Sequence, residues 1–131
     1  MPKVCKVLVV EDNDDVRGLM EEVFVDEGYH ILAARDGAEM RRIVAVNPDI
    51  DMLVIDVTLP GPDDGFSLAD EMVVRGCNVI LVTGDHLLVE RIDKTGHRYL
   101  LKPFRIHSLL GLIEQVLREA ASACERMPRR A

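Results

Sequence analysis

Tryptophan is absent from the 131 residues, and two tyrosines and three phenylalanines supply all the aromatic content, so no intrinsic tryptophan signal can follow the protein. Cysteine is scarce and odd in number: Cys5, Cys77 and Cys124 show no C-x-x-C spacing and no histidine at zinc-ligand distance. A disulfide scaffold and a structural zinc are therefore poor readings, and inert thiols in a reducing compartment fit better. No apolar run approaches the ~20 residues of a membrane span, and the N-terminus enters a strand-like segment rather than a signal-peptide core. A soluble, cytoplasmic protein is the expectation. Positive charge is also in deficit, with 16 Lys and Arg against 23 Asp and Glu and a net charge of −7. Such a surface repels phosphate backbones and anionic lipid, so no nucleic acid and no membrane is expected as a direct partner.

Apolar content is ample: hydrophobic residues make up 48% and charged residues 30% of the chain. A chain of this length buries roughly two thirds of its unfolded surface, enough for one packed domain without staples. Short apolar runs rich in β-branched residues fall at Val7–Val10, Leu53–Ile55 and Val79–Val82 and read as strands buried on both faces. Two weaker runs, Ile31–Ala34 and Tyr99–Leu101, have polar neighbours in His30, Arg35 and Arg98 and read as sheet edges. Between them lie helix-period segments. Val16, Leu19, Met20, Val23 and Phe24 are spaced to share one helical face that ends near Gly28, and Ile106, Leu109, Leu110, Ile113 and Leu117 do the same in the last helix. Less regular helices are expected around Ala38–Val46, Phe66–Val74 and Leu87–Lys94, the last one short. Strict alternation of five strands and five helices implies an α/β doubly wound parallel sheet. The residues Glu125–Ala131, with Arg126, Pro128, Arg129 and Arg130, read as a loose tail.

In such a sheet, ligands bind outside the carboxyl ends of the strands, so the residues directly after each run carry the information. The first strand ends in Glu11 and Asp12, the third in Asp56, the fourth in Thr83 and Gly84, and the fifth in Lys102 and Pro103. Helix capping accounts for Asn13, Asp14 or Asp36, but not for a lysine at the same rim. Clustered carboxylates repel by roughly 1 kcal/mol per pair at 4 Å in water and by more near a protein surface, so a cation is their natural partner. With no His or Cys in the set, the expected ion is Mg2+ rather than zinc. A flavin or dinucleotide would need a glycine- or hydroxyl-rich loop after the first strand, and Glu11, Asp12, Asn13, Asp14 and Asp15 cannot cradle a bare phosphate.

The segments VLVVEDND, MLVIDVTLPG, VILVTG and YLLKPF, in this order at strand ends, resemble the response-regulator receiver domain of two-component signalling from about Lys6 to Leu117. The resemblance implies a flavodoxin-like fold of strand order 2-1-3-4-5, with a receiver domain over 1–121 and a C-terminal tail over 122–131. It implies that Asp56 accepts a phosphoryl group from a sensor histidine kinase, a phosphotransfer protein or a small phosphodonor. Glu11, Asp12, Asp56 and the main-chain carbonyl of Thr58 would hold the metal. Lys102 would pair with the phosphoryl oxygens, Thr83 would hydrogen-bond the acyl phosphate, and Gly84 would leave room for the donor. The hydroxyl of Thr83 and the ring of Tyr99 would form the switch, Thr58 and Asp85 would tune acyl-phosphate hydrolysis, and the Lys102–Pro103 peptide would be cis. Two departures stand out. Thr83 and Lys102 are only 19 positions apart, which shortens or unwinds the fourth helix, and Pro60–Gly65 carries one extra residue with two acids, Asp63 and Asp64, near the donor's path.

No output domain pattern follows the last helix, which suggests a single-domain regulator acting on an unidentified downstream protein, with a homodimer through the fourth-helix to fifth-helix face as a variant. It is a phosphoacceptor switch in this reading and not a conventional enzyme. Two alternatives stay open: a pseudo-receiver that binds partners without phosphate, and a small aspartyl-phosphate hydrolase, which would want an acid where Thr58 stands and a cap for its substrate. The four histidines show no ligand spacing, and the methionines read as core filler.

Overall fold

The structure is a computed structural model that describes residues 4–59 and 61–126, with side chains described to 122. In chain order the elements are β1 Lys6–Val10, α1 Asp14–Asp26, β2 His30–Ala34, α2 Gly37–Val46, β3 Met52–Asp56, α3 Gly65–Val74 and β4 Asn78–Thr83. A single 3₁₀ turn at His86–Leu88, α4 Val89–Thr95, β5 Arg98–Leu101 and α5 Ile106–Arg126 complete the order. All pairings are parallel, in the order β2-β1-β3-β4-β5. The expected edges, β2 and β5, are the edges.

Side chains alternate across the sheet and build two core layers. Val7, Val9, Met52, Val54, Ile80 and Val82 meet Met20 and Phe24 of α1 and Leu109, Leu110 and Ile113 of α5. Leu8, Val10, Leu53, Ile55 and Leu81 face the other way, toward Met40 and Val44 of α2, Leu68 and Met72 of α3 and Ile92 of α4. Both faces of the central strands are therefore dry, which is why they read as unbroken apolar runs. Of the face expected to be buried in α1, Met20 and Phe24 are enclosed while Leu19 is 51% exposed, because the contact stripe of that helix is narrower than its apolar stripe.

Local chemistry sets the helix starts. The side chains of Asn13, Asp36 and Asp64 accept from the main-chain N–H of Val16, Glu39 and Phe66, respectively. Asp14 is no cap; it lies in the first turn of α1 and pairs with Arg17 at 2.5 Å. The fourth helix is shortened and partly unwound: one 3₁₀ turn and a seven-residue α4, closed by Gly96 at φ 77°. At the other end of the chain, α5 continues to Arg126 and so carries helix into the stretch 122–131 read as tail. The side chain of Cys124 and the remaining tail residues, with Pro128, Arg129 and Arg130, lie outside the described residues, as does Pro60.

Candidate functional site: an acidic pocket at the carboxyl edge of the sheet

Parallel strands in register bring the ends of β1, β3, β4 and β5 to one rim, and there the chain places Glu11, Asp12, Asp56, Thr83 and Lys102. Glu11 and Asp12 are neighbours, yet Glu11 is 2% exposed while Asp12 faces solvent. Carboxylate oxygens of Glu11, Asp12 and Asp56 all lie within 4.8 Å of one another. Into this group projects the Lys102 ammonium, 2.6 Å from Asp56 Oδ2 and 2.7 Å from Glu11 Oε1. Three carboxylates and one ammonium leave a formal charge of −2, which a divalent cation balances. The donor set is all oxygen and fits a hard ion such as magnesium.

The second Asp56 oxygen is also engaged. Oδ1 accepts from the Thr58 N–H at 2.8 Å and from the Thr58 hydroxyl at 2.6 Å. Glu11 Oε2 accepts from the Asn13 N–H at 3.2 Å, and Arg17 donates to the Glu11 carbonyl at 3.0 Å, which ties the acidic loop to α1. Thr83 is fully buried; its hydroxyl accepts from the Asp85 N–H at 3.0 Å, and its carbonyl accepts from the Lys102 N–H at 2.8 Å. Asp85 itself caps the 3₁₀ turn through Leu87 N–H. The Lys102–Pro103 peptide is cis.

Electrostatics follow from burial and pairing. Burial pushes the Glu11 pKa up, and the Lys102 ammonium and the Asn13 N–H offset this only in part. Burial works against the Lys102 ammonium, but hydrogen bonds to Asp56 and Glu11 outweigh it and hold its pKa above the ordinary value. The pocket thus favours the charged form of Lys102 and disfavours that of Glu11.

Other expected residues are placed elsewhere. Asp63 turns to Arg41 of α2 at 3.3 Å, and Asp64 caps α3 and meets Arg91 of α4 at 3.4 Å, so both acids of the longer loop are engaged away from Asp56. Tyr99 is half-buried against the core layer shared with α4. Cys77 is a buried thiol, Cys5 is half-buried, and His30, His86, His97 and His107 stand apart. Gly65 is the residue that sequence reasoning missed. A Cβ there would lie 2.6 Å from Val57 Cα and 2.9 Å from the Asp56 carbonyl oxygen, so α3 seats on the strand that ends in Asp56 only because this position has no side chain. Its one signal was an otherwise unexplained glycine at a helix start. By contrast, a Cβ at Gly84 would meet only Lys102 Cβ, at 3.7 Å.

Five parallel strands in the order β2-β1-β3-β4-β5 with helices on both faces define the flavodoxin-like class of α/β folds, here with an acidic pocket at the carboxyl edge of the sheet. The chain belongs to the response regulator receiver domain family, whose model matches residues 7–114. Among curated relatives, Protein PetR of Rhodobacter capsulatus is 31% identical over 127 residues, spanning 94% of this chain and 53% of PetR. The aerobic respiration control protein ArcA of Escherichia coli is 35% identical over 108 residues, 79% of this chain and 44% of ArcA. The chain therefore spans about half the length of the curated relatives it matches. Among solved structures, the receiver domain of the hybrid histidine kinase CckA is 32% identical with a TM-score of 0.71, covering 86% of this chain and 98% of that one. The chemotaxis response regulator CheY4 of Vibrio cholerae is 25% identical with a TM-score of 0.74, covering 87% and 99%.

Proposed function

We propose that this receiver domain is a magnesium-dependent phosphoacceptor switch in which Asp56 takes a phosphoryl group from a histidine kinase or phosphotransfer protein. The observation that carries this reading is Asp56 itself: 4% exposed, at the end of the central strand, with a lysine ammonium on one oxygen and two other carboxylates within reach of a shared ion. Glu11, Asp12 and Asp56, with the Thr58 carbonyl, would hold Mg2+, which when bound offsets the negative charge shared by the carboxylates and the incoming phosphoryl group. Attack by an Asp56 carboxylate oxygen forms the O–P bond as the P–N bond of the donor phosphohistidine breaks, with the electron pair leaving on the imidazole nitrogen. Lys102 stays protonated throughout and transfers its contact from the Asp56 oxygen to a phosphoryl oxygen. The Thr83 hydroxyl donates to another phosphoryl oxygen, and Tyr99 follows into the space behind it. Thr58 and Asp85 set the lifetime of the acyl phosphate.

The modification adds about 1.5 to 2 negative charges at one point and remodels the α4–β5–α5 face, which then binds a downstream protein or a second copy of the chain. On this reading the domain comprises residues 1–121, acts in the cytoplasm and is no conventional enzyme. Among the described residues, no helix is long and apolar enough to cross a membrane. The pseudo-receiver alternative is disfavoured because the full acid, hydroxyl and lysine set converges. Intact-mass measurement after incubation with acetyl phosphate and Mg2+ tests the proposal. Wild type gains one phosphoryl group and Asp56→Asn gains none; no gain by wild type, under conditions that label a control receiver, refutes it.

A further inference from the structure

The fourth helix is weakly anchored. It has seven residues, its N-cap Leu88 makes no side-chain cap, and Ile92 is its one fully buried residue. A single buried side chain acts as a pivot: it fixes the distance of a helix from the core but not its rotation. Next to that pivot stands Arg91. Its guanidinium carbon lies 3.9 Å from the centroid of the Phe66 ring, and Nη2 lies 3.4 Å from Asp64 Oδ2. The Asp64 carboxylate is shared, since Oδ1 accepts the Phe66 N–H that opens α3.

Asp64 is also one residue from the closest backbone contact in the site. Gly65 sits so tightly on Val57 and the Asp56 carbonyl that there is no slack between the start of α3 and the strand end bearing Asp56. On its other flank the same loop is held by Asp63, which bonds Arg41 and fills the space over Gly37, where a Cβ would lie 2.6 Å from Asp63 Oδ2. One side of the loop is thus bolted to α2, whose core contacts are extensive, and the other to a helix that can turn about Ile92.

We propose that Arg91 is a positioning residue that couples α4 to the phosphoacceptor loop through Asp64 and Phe66, so that a change at Asp56 and Thr58 rotates α4. This deepens the phosphoacceptor reading and rests on it. The route is separate from Thr83 and Tyr99, which reach the same face through β4 and β5. An exposed ion pair and a cation–π contact each bias an equilibrium by about two- to fivefold, so the link is a modest one and weakens in high salt.

Hydrogen–deuterium exchange of the full chain, with Mg2+ and with or without beryllofluoride as a phosphoryl mimic, tests it. Wild type should change its exchange over both 57–65 and 86–95. In Arg91→Ala, and in Asp64→Asn, which keeps a capping oxygen while losing the charge, 57–65 should still respond. The response of 86–95 should drop about two- to fivefold, with partial recovery in Arg91→Lys. A merely structural role would raise exchange in both states without uncoupling the two segments. An unchanged 86–95 response in Arg91→Ala and Asp64→Asn overturns the inference and leaves the phosphoacceptor reading intact. If wild type neither binds beryllofluoride nor takes up phosphoryl mass, both fall.

Discussion

Replacing Gly65 by alanine tests how α3 is fitted to the strand that ends in Asp56. The new methyl carbon would lie 2.6 Å from Val57 Cα, 2.9 Å from the Asp56 carbonyl oxygen and 3.3 Å from the Val57 carbonyl carbon. Carbon contacts are comfortable at about 3.5–4.0 Å, so the closest overlap is about 1 Å, and all three atoms are main chain. No rotamer change can relieve it. The start of α3 must lift away, loosening Phe66, Leu68 and Ala69, which are 8%, 1% and 1% exposed. Overpacking of this kind costs about 1–3 kcal/mol, and we place this case near 3 because the clash is with backbone. The better helix propensity of alanine returns up to about 1 kcal/mol, leaving a net loss of about 2 kcal/mol. For a domain of this size that is a fall of about 8 °C in Tm. Far-UV circular dichroism on heating and in urea measures it, since there is no tryptophan to follow. Gly84→Ala is the control: its methyl meets only Lys102 Cβ at 3.7 Å, so stability should stay within about 0.5 kcal/mol of wild type. A Gly65→Ala protein as stable as Gly84→Ala would refute the reasoning.

Four further outcomes are expected. Thr58→Val removes the hydroxyl that donates to Asp56 Oδ1 at 2.6 Å and should speed phosphoryl uptake from acetyl phosphate by about three- to tenfold, the equivalent of one modest hydrogen bond; a slower rate contradicts this. Lys102→Met leaves Glu11 and Asp56 buried without their counter-charge and should cost about 1–3 kcal/mol in urea denaturation, less than a fully buried pair because the lysine side chain is 29% exposed. The folded-state pKa of Lys102 is raised, so its contribution is present below 10.5 and lost as pH rises through the raised value; the stability gap to Lys102→Met should therefore close in that alkaline window, and a gap that widens there counts against the pairing. The Cys77 thiol is pushed up to about 12 by burial, which leaves about 10³ times less thiolate at pH 8 than an ordinary cysteine has; native-state alkylation should mark Cys5 well before Cys77, and the reverse order would be inconsistent with this core.

What was legible in the sequence, and what was not, divides along physical lines. Val7–Val10, Leu53–Ile55 and Val79–Val82 were readable because strands enclosed on both faces leave continuous apolar runs, and each observed strand extends its run by only one or two residues. Strand ends then located Glu11, Asp12, Asp56, Thr83 and Lys102, since parallel register sends every carboxyl end to the same rim. Contacts made across long sequence separations left no local trace. That Asp63 and Asp64 are drawn off by Arg41 and Arg91 depends on the packing of α2 and α4, and that Gly65 is obligatory depends on how closely α3 approaches Val57. Leu19 was misplaced because periodicity reports an apolar stripe and not the width of the contact it makes. The extent of α5 to Arg126 was not legible either, because the spacing of apolar residues that marks the helix gives out after Ala121.

The central claim is that Asp56 is the nucleophile, and chemical trapping at that residue tests it most directly. Borohydride reduces an acyl phosphate to the alcohol, so a phosphorylated Asp56 becomes homoserine, which peptide sequencing by mass spectrometry can place. After incubation with Mg2+ and acetyl phosphate, followed by borohydride, homoserine is expected at position 56 alone and only when Mg2+ is present. Homoserine at another acid of the pocket, or none at position 56 in a protein that has gained phosphoryl mass, would contradict the account.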